Sequence, residues 1–153
     1  MHLTDADHVR GLLAAYGELL DAADFAGLGQ LLADAVLADE SGTPFATGAA
    51  EVAGFYGATV RLHADGTPRT HHLVLGTRFL PEDAPDRARC RSSYLVLHQP
   101  DGGALAPMVT GTYDDTFARS GPPGESGGWR FVERRMGLRL VGDLSTHLAF
   151  DPT

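Results

Sequence analysis

The apolar residues of this chain change period once, near residue 69, and that switch limits the folds open to it. From residue 5 to about 62 they recur every three to four positions, the spacing of helices with one buried face. From Arg69 onward they alternate, the spacing of half-buried strands. Helices first and long strands after make an α+β domain, its helices laid on one face of a strongly curved, mostly antiparallel sheet. A chain of 153 residues can bury roughly 68–70% of its unfolded surface, which supports one core without a disulfide or structural metal. No repeat, low-complexity tract or linker divides it, so residues 1–153 read as a single domain.

Thr4 and Asp7 form a capping pattern ahead of Val9, Leu12, Leu13, Tyr16, Leu19 and Leu20, which predicts a first helix from about residue 5 to 22. Asp24 heads a shorter pattern of Phe25, Leu28, Leu31 and Leu32; Asp34 to Ala38 then reads as a strand and Ser41-Gly42-Thr43-Pro44 as a turn. A third helix is expected from Thr47-Gly48 to Leu62, weakened by Gly54 and Gly57. Strands follow at 70–80, 86–99, 105–119 and 128–141, joined by short turn-like stretches, the last from Ser120 to Gly127.

Composition removes several function classes. Twelve basic residues against twenty acidic ones give a net charge of −8, which argues against nucleic acid or an anionic membrane surface as partner. All the basic residues are arginine, so no lysine can form a Schiff base or hold pyridoxal. The single cysteine, Cys90, closes no internal disulfide and builds no thiolate cluster; with acid near the N-terminus where a signal peptide carries base, a cytoplasmic location is expected. No apolar run approaches the roughly 20 residues of a spanning helix. There is no His-Glu-x-x-His pattern, nucleophile elbow or phosphate-binding loop, and two adjacent histidines on a strand cannot converge on one ion, so neither metal nor cofactor is expected.

Ionisable side chains inside apolar segments are the informative positions, because burying them is costly unless they are paired or used. Asp21 ends the first apolar helix, His72 sits in Arg69-Thr70-His71-His72-Leu73, and His98 closes Tyr94-Leu95-Val96-Leu97-His98. Strand alternation puts His71 and His72 on opposite faces, so one of them can look into the concave side of the sheet. A carboxylate that accepts the proton of one imidazole nitrogen leaves the other nitrogen as a base, and such a dyad moves protons near neutral pH. The competing structural reading makes Asp21 and Asp24 helix-terminating and capping residues. His2, His8, His63 and His147 read as surface residues, and the polar runs Gly111 to Asp115 and Glu133 to Arg135 as a solvated face or a cross-strand ion pair, with Tyr113 or Asp115 open to lining a cavity.

At these residues the sequence resembles the SnoaL-like group of the nuclear transport factor 2-like superfamily, which includes scytalone dehydratase, ketosteroid isomerase and limonene epoxide hydrolase. The ordered set runs over residues 5 to 140: Tyr16 and Asp21 followed by Asp24-Phe25, Asp34-Ala35-Val36, Gly48, Thr70-His71-His72, Gly111-x-Tyr113-x-Asp115, and Gly128-Trp129-Arg130-Phe131 with Glu133-Arg134-Arg135. The resemblance implies a cone-shaped, cystatin-like α+β barrel closed by helices, with an apolar pocket at one end. It also implies roles: Asp21 and His72 as the acid–base pair of the dehydratases, and His98 as a second active-site histidine. Asp114 falls near an active-site asparagine, and Leu20 and Glu40 fall where the dehydratase keeps two substrate-polarising tyrosines. Tyr16 occupies a place where isomerases keep a tyrosine donor, and Tyr56 is a further donor.

The expected function is therefore that of a cofactor-independent dehydratase, isomerase or cyclase acting on a hydrophobic cyclic or polyketide-like carbonyl compound. His72 would take a proton α to the carbonyl, Asp21 would orient it, and Tyr16 or His98 would stabilise the enolate or protonate a departing hydroxyl. The resemblance also implies a homodimer or homotrimer. A non-catalytic small-molecule-binding or partner-binding domain of the same fold is the rival reading. Epoxide hydrolysis is a further one, but it wants an Asp-Arg-Asp arrangement that the sequence does not lay out.

Overall fold

A computed structural model describes residues 3–120 and 128–150. Helix α1, Asp5–Asp21, begins on a complete capping box: the Thr4 hydroxyl accepts from the Asp7 amide and the Asp7 carboxylate accepts from the Thr4 amide. Helix α2, Phe25–Leu31, is capped by Asp24, whose carboxylate accepts from the Gly27 amide at 2.8 Å. Two four-residue strands, β1 (Val36–Asp39) and β2 (Pro44–Thr47), then form a hairpin and lead into α3, Gly48–Thr59.

Strands β3 (Thr70–Leu80), β4 (Arg87–His98), β5 (Ala106–Arg119) and β6 (Trp129–Val141) fall within a residue or so of their expected bounds. All six strands make one sheet in the order β2-β1-β6-β5-β4-β3. Every pairing is antiparallel except β1 with β6. Register shifts in the β3–β4, β4–β5 and β5–β6 ladders bend the sheet. The helices cover one face of it, and Leu13, Tyr16, Leu28, Leu37, Val52, Phe117 and Phe131 are buried between the layers.

Two expectations need correction. The turn at 41–44 is the tip of a hairpin whose second strand, β2, goes unforeseen because four residues carry too little alternation to read. Asp39 builds that tip by accepting from the Ser41 hydroxyl and the Thr43 amide. Helix α3 stops at Thr59 rather than Leu62, because Val60 pairs with Leu148 and the Arg61 amide donates to the His147 carbonyl, so the chain's C-terminal strap draws residues 60–61 out of the helix. The expected connection at 120–127 lies, apart from Ser120, outside the described residues. No described helix is long and apolar enough to cross a membrane.

Candidate active site

The edge position of β3 creates the site. An edge strand leaves every second amide without a ladder partner, and Asp21, at the last residue of α1, takes up the one at His72: its Oδ2 accepts from the His72 amide at 2.9 Å. The Thr70 hydroxyl donates to Oδ1 at 2.8 Å, and the His72 Nδ1 lies 2.6 Å from the same oxygen. Asp21 thus serves a strand, whereas Asp24 serves a helix cap.

An ionised carboxylate only accepts, so Nδ1 of His72 carries the proton and Nε2 is the free lone pair. Burial pushes the Asp21 carboxyl up, but the hydrogen bonds and charge of His72, with Thr70, outweigh it and hold the group below its ordinary value. The two side chains are only 17% and 13% exposed. His71, on the opposite face, is 68% exposed, with its Nδ1 3.6 Å from Asp21. The backbone is strained on both sides of the contact: Ala23 has φ 57° and Arg69 φ 52°, left-handed conformations that cost a non-glycine residue about 1–3 kcal/mol.

Helix α1 can come this close because residue 17 lacks a side chain. A Cβ on Gly17 would stand 3.0 Å from the His72 Cβ and 3.5 Å from its carbonyl oxygen. Gly17→Ala should gain up to about 1 kcal/mol of helix propensity and lose a comparable amount to the clash, leaving stability nearly unchanged. The same push displaces His72 by tenths of an ångström and should slow any proton transfer at its Nε2 roughly tenfold or more. Steady-state kinetics beside a urea titration would check it, and equal losses in both would remove the positioning role. Along this seam runs a cavity of about 300 Å³, lined by Leu13, Gly17, Asp21, His72, Val74 and Thr77 among others.

On the inner side the sheet register brings a second histidine to the dyad. His98 pairs with Thr70 and Val96 with His72, so His72 and His98 are diagonal neighbours on one face. Two more imidazoles join them, correcting the surface reading of His63 and His147. The His63 Nε2 is 3.4 Å from the His98 Nε2, and the rings of His98 and His147 lie 5.7 Å apart, nearly perpendicular. Neither residue was findable by pattern: His63 lies in the loop after α3, and His147 arrives on the strap.

Burial, followed by the nearby His98, His72 and His63, lowers His147 to about 4. Burial and His63 lower His98 as well. A histidine depressed in the folded state stabilises the fold fully above its ordinary value of 6.5, and that contribution is lost as pH falls towards 4. The melting temperature should therefore decline between pH 6.5 and 4, before most carboxylates titrate, and the decline should flatten in His147→Phe. An unchanged slope in that variant would contradict the assignment. Among the described residues no group of three or more His, Cys, Asp or Glu side chains is arranged to hold a metal ion.

The tyrosines gather deeper in the core. The Tyr16 and Tyr56 hydroxyls are 2.5 Å apart, and Tyr113 packs edge-on to Tyr16. Beneath them Arg134 makes a two-pronged ion pair with Asp115 at 2.7 and 2.9 Å, both side chains fully buried, and the guanidinium sits 4.1 and 4.0 Å from the Tyr16 and Tyr113 ring centres. The cross-strand ion pair expected from the sequence is thus present but inside the core. It supplies one aspartate and the arginine of an Asp-Arg-Asp arrangement, and no second aspartate bonds to Arg134 among the described residues.

Asp114 and Glu40 do not join the site. The alternation that buries Tyr113 and Asp115 turns Asp114 to the outer face, where it pairs with Arg91. Glu40 follows β1, is 58% exposed and pairs with Arg139.

Three helices laid on one face of a curved six-stranded sheet make the nuclear transport factor 2-like, cystatin-like fold. The sequence matches the SnoaL-like domain family over residues 1–135, and the chain belongs to that family. Among solved structures, an NTF2-like protein with a cystatin-like fold from Novosphingobium aromaticivorans is 26% identical, with a TM-score of 0.65 over 88% of this chain and 81% of that one. A candidate scytalone dehydratase from the same organism is 19% identical, with a TM-score of 0.67 over 91% and 87%. Aln2 from a Streptomyces species is also 19% identical, with a TM-score of 0.67 over 90% and 94%. No curated protein matches the sequence. The fold family includes dehydratases, isomerases and cyclases.

Proposed function

We propose that the protein is an acid–base enzyme that removes a proton α to a carbonyl of a small hydrophobic cyclic compound and completes a dehydration, an isomerisation or a cyclisation. The observation that carries this reading is the Asp21–His72 pair. Asp21, bonded by three donors, fixes the proton on Nδ1 and aims Nε2 as a base, which is a costly arrangement for a mere strand anchor. The likeness to the candidate scytalone dehydratase supports dehydration, and His98 on the same inner face supplies a second imidazole for it.

The chemistry requires proton carriers in fixed positions, and each step has a place for its proton. His72 Nε2 takes the α-proton and the bonding pair moves onto the carbonyl oxygen; return of the proton elsewhere gives an isomer, and loss of a β-hydroxyl as water gives an enone. The test is NMR-monitored deuterium uptake in D2O over a panel of cyclic β-hydroxy ketones. Uptake or elimination that depends on His72 is expected. Ligands that bind with neither reaction would leave a binding domain instead.

A further inference from the structure

His147 has no role in the dyad, yet its position is costly and well fixed. Residues 144–149 are sewn to the end of α3: the Arg61 amide donates to the His147 carbonyl at 2.8 Å, the Arg61 side chain to the Leu148 carbonyl at 3.0 Å, and the Ala149 amide to the Thr59 carbonyl at 2.9 Å. The imidazole held by these bonds sits among His63, His72 and His98, and neither of its nitrogens has a hydrogen-bond partner among the described residues. Nδ1 is also enclosed. An enclosed, unpartnered N–H is costlier than an enclosed lone pair, so Nδ1 is bare and the proton is on Nε2. The ring therefore presents one free donor, Nε2–H.

Resting on the dyad reading above, the geometry points to His147 as a catalytic hydrogen-bond donor: its Nε2–H donates to the substrate's carbonyl oxygen as that oxygen becomes an enolate, while His72 acts as the base. The two positions where the resemblance expects polarising tyrosines do not supply this donor. One is Leu20, and the other, Glu40, is outside the site in an ion pair with Arg139. Tyr16 and Tyr56 are buried against one another. A neutral imidazole suits the task because it donates without surrendering its proton, and burial, with three other histidines nearby, keeps it neutral.

For a β-hydroxy ketone the step balances as follows. The α C–H bond breaks, its proton goes to His72 Nε2, and the pair forms an enolate whose oxygen accepts the His147 hydrogen bond. The pair then returns, the C–O bond to the β-hydroxyl breaks, and the hydroxide leaves as water with the proton from His72. Asp21 and His147 end as they began.

The test uses the full chain with 3-hydroxy-1-tetralone, following deuterium entry at C2 and release of 1-naphthol. His147→Phe keeps the ring volume and removes the donor, whereas His147→Gln keeps an N–H. Loss of one oxyanion donor costs on the order of 10²–10³ in turnover, so His147→Phe should lose about 10²-fold in kcat with KM nearly unchanged. His147→Gln should recover to within about tenfold of wild type. Hydrogen exchange at the Ala149 amide should be the same in all three proteins. Wild-type turnover in His147→Phe, or a loss accompanied by faster exchange in the strap and no recovery with Gln, overturns the assignment. A wild type that neither exchanges nor eliminates the probe, and is indistinguishable from His72→Gln, removes the dyad reading itself and this role with it.

Discussion

His72→Gln is expected to lower α-proton exchange by about 10²–10⁴-fold, the contribution of a positioned general base, while leaving the unfolding free energy within about 1 kcal/mol of wild type. The two effects separate because the packing does not need the imidazole. In the variant Asp21 still accepts from the Thr70 hydroxyl and from the backbone amide of residue 72, so no ionised group is left bare. Asp21→Asn should act on the same rate by another route. An amide can donate as well as accept, so it no longer fixes the Nδ1–H tautomer, and His72 loses the enforced Nε2 lone pair and its aim. A purely structural buried pair would behave differently, losing roughly 3–5 kcal/mol when either partner goes. Denaturant titrations of both variants beside the deuterium assay decide the matter, and collapse of both folds would make Asp21 and His72 a structural clasp.

Arg134→Met is expected to produce the largest loss of stability, about 3–5 kcal/mol, because it strands the fully buried Asp115 carboxylate. For a chain of this length that corresponds to a fall in melting temperature of roughly 6–20 °C. The double variant Arg134→Met/Asp115→Leu should recover most of the loss, since an apolar pair of similar volume avoids the desolvation of two charges. Arg134 stays protonated in the fold because Asp115 outweighs the cost of its burial. Its guanidinium also lies over the rings of Tyr16, Tyr113 and Phe131, so Met, which packs on aromatic faces, is the appropriate replacement. Calorimetry on the three proteins tests this. A single variant as stable as wild type would show that Asp115 is hydrated or neutral.

The contrast between these pairs follows from where each carboxylate ends. Asp21 has donors from a strand edge, a hydroxyl and an imidazole, so any one can be removed. Asp115 has, among the described residues, Arg134 alone.

Much of this was legible in the chain itself. The change of period at residue 69 determined helices before sheet, the Thr4–Asp7 and Asp24 patterns placed two helix starts, and alternation put His71 and His72 on opposite faces, the resemblance favouring His72 as the inward one. These are local rules, set by the 3.6- and 2-residue repeats of the backbone and by hydrogen bonds spanning a few residues. They sufficed to pick out Asp21 and His72 because ionisable groups in apolar segments are conspicuous. Tertiary structure decided the rest. It made β3 an edge strand, which is why an aspartate 51 residues away can cap the His72 amide. It drew His63 and His147 to His98 across 35 and 49 residues, and it took Glu40 and Asp114 out of the site by fixing the face on which each strand position emerges. No periodicity encodes such meetings: each depends on the order of strands in the sheet and on a C-terminal strap whose partners are the last residue of α3 and the two that follow it.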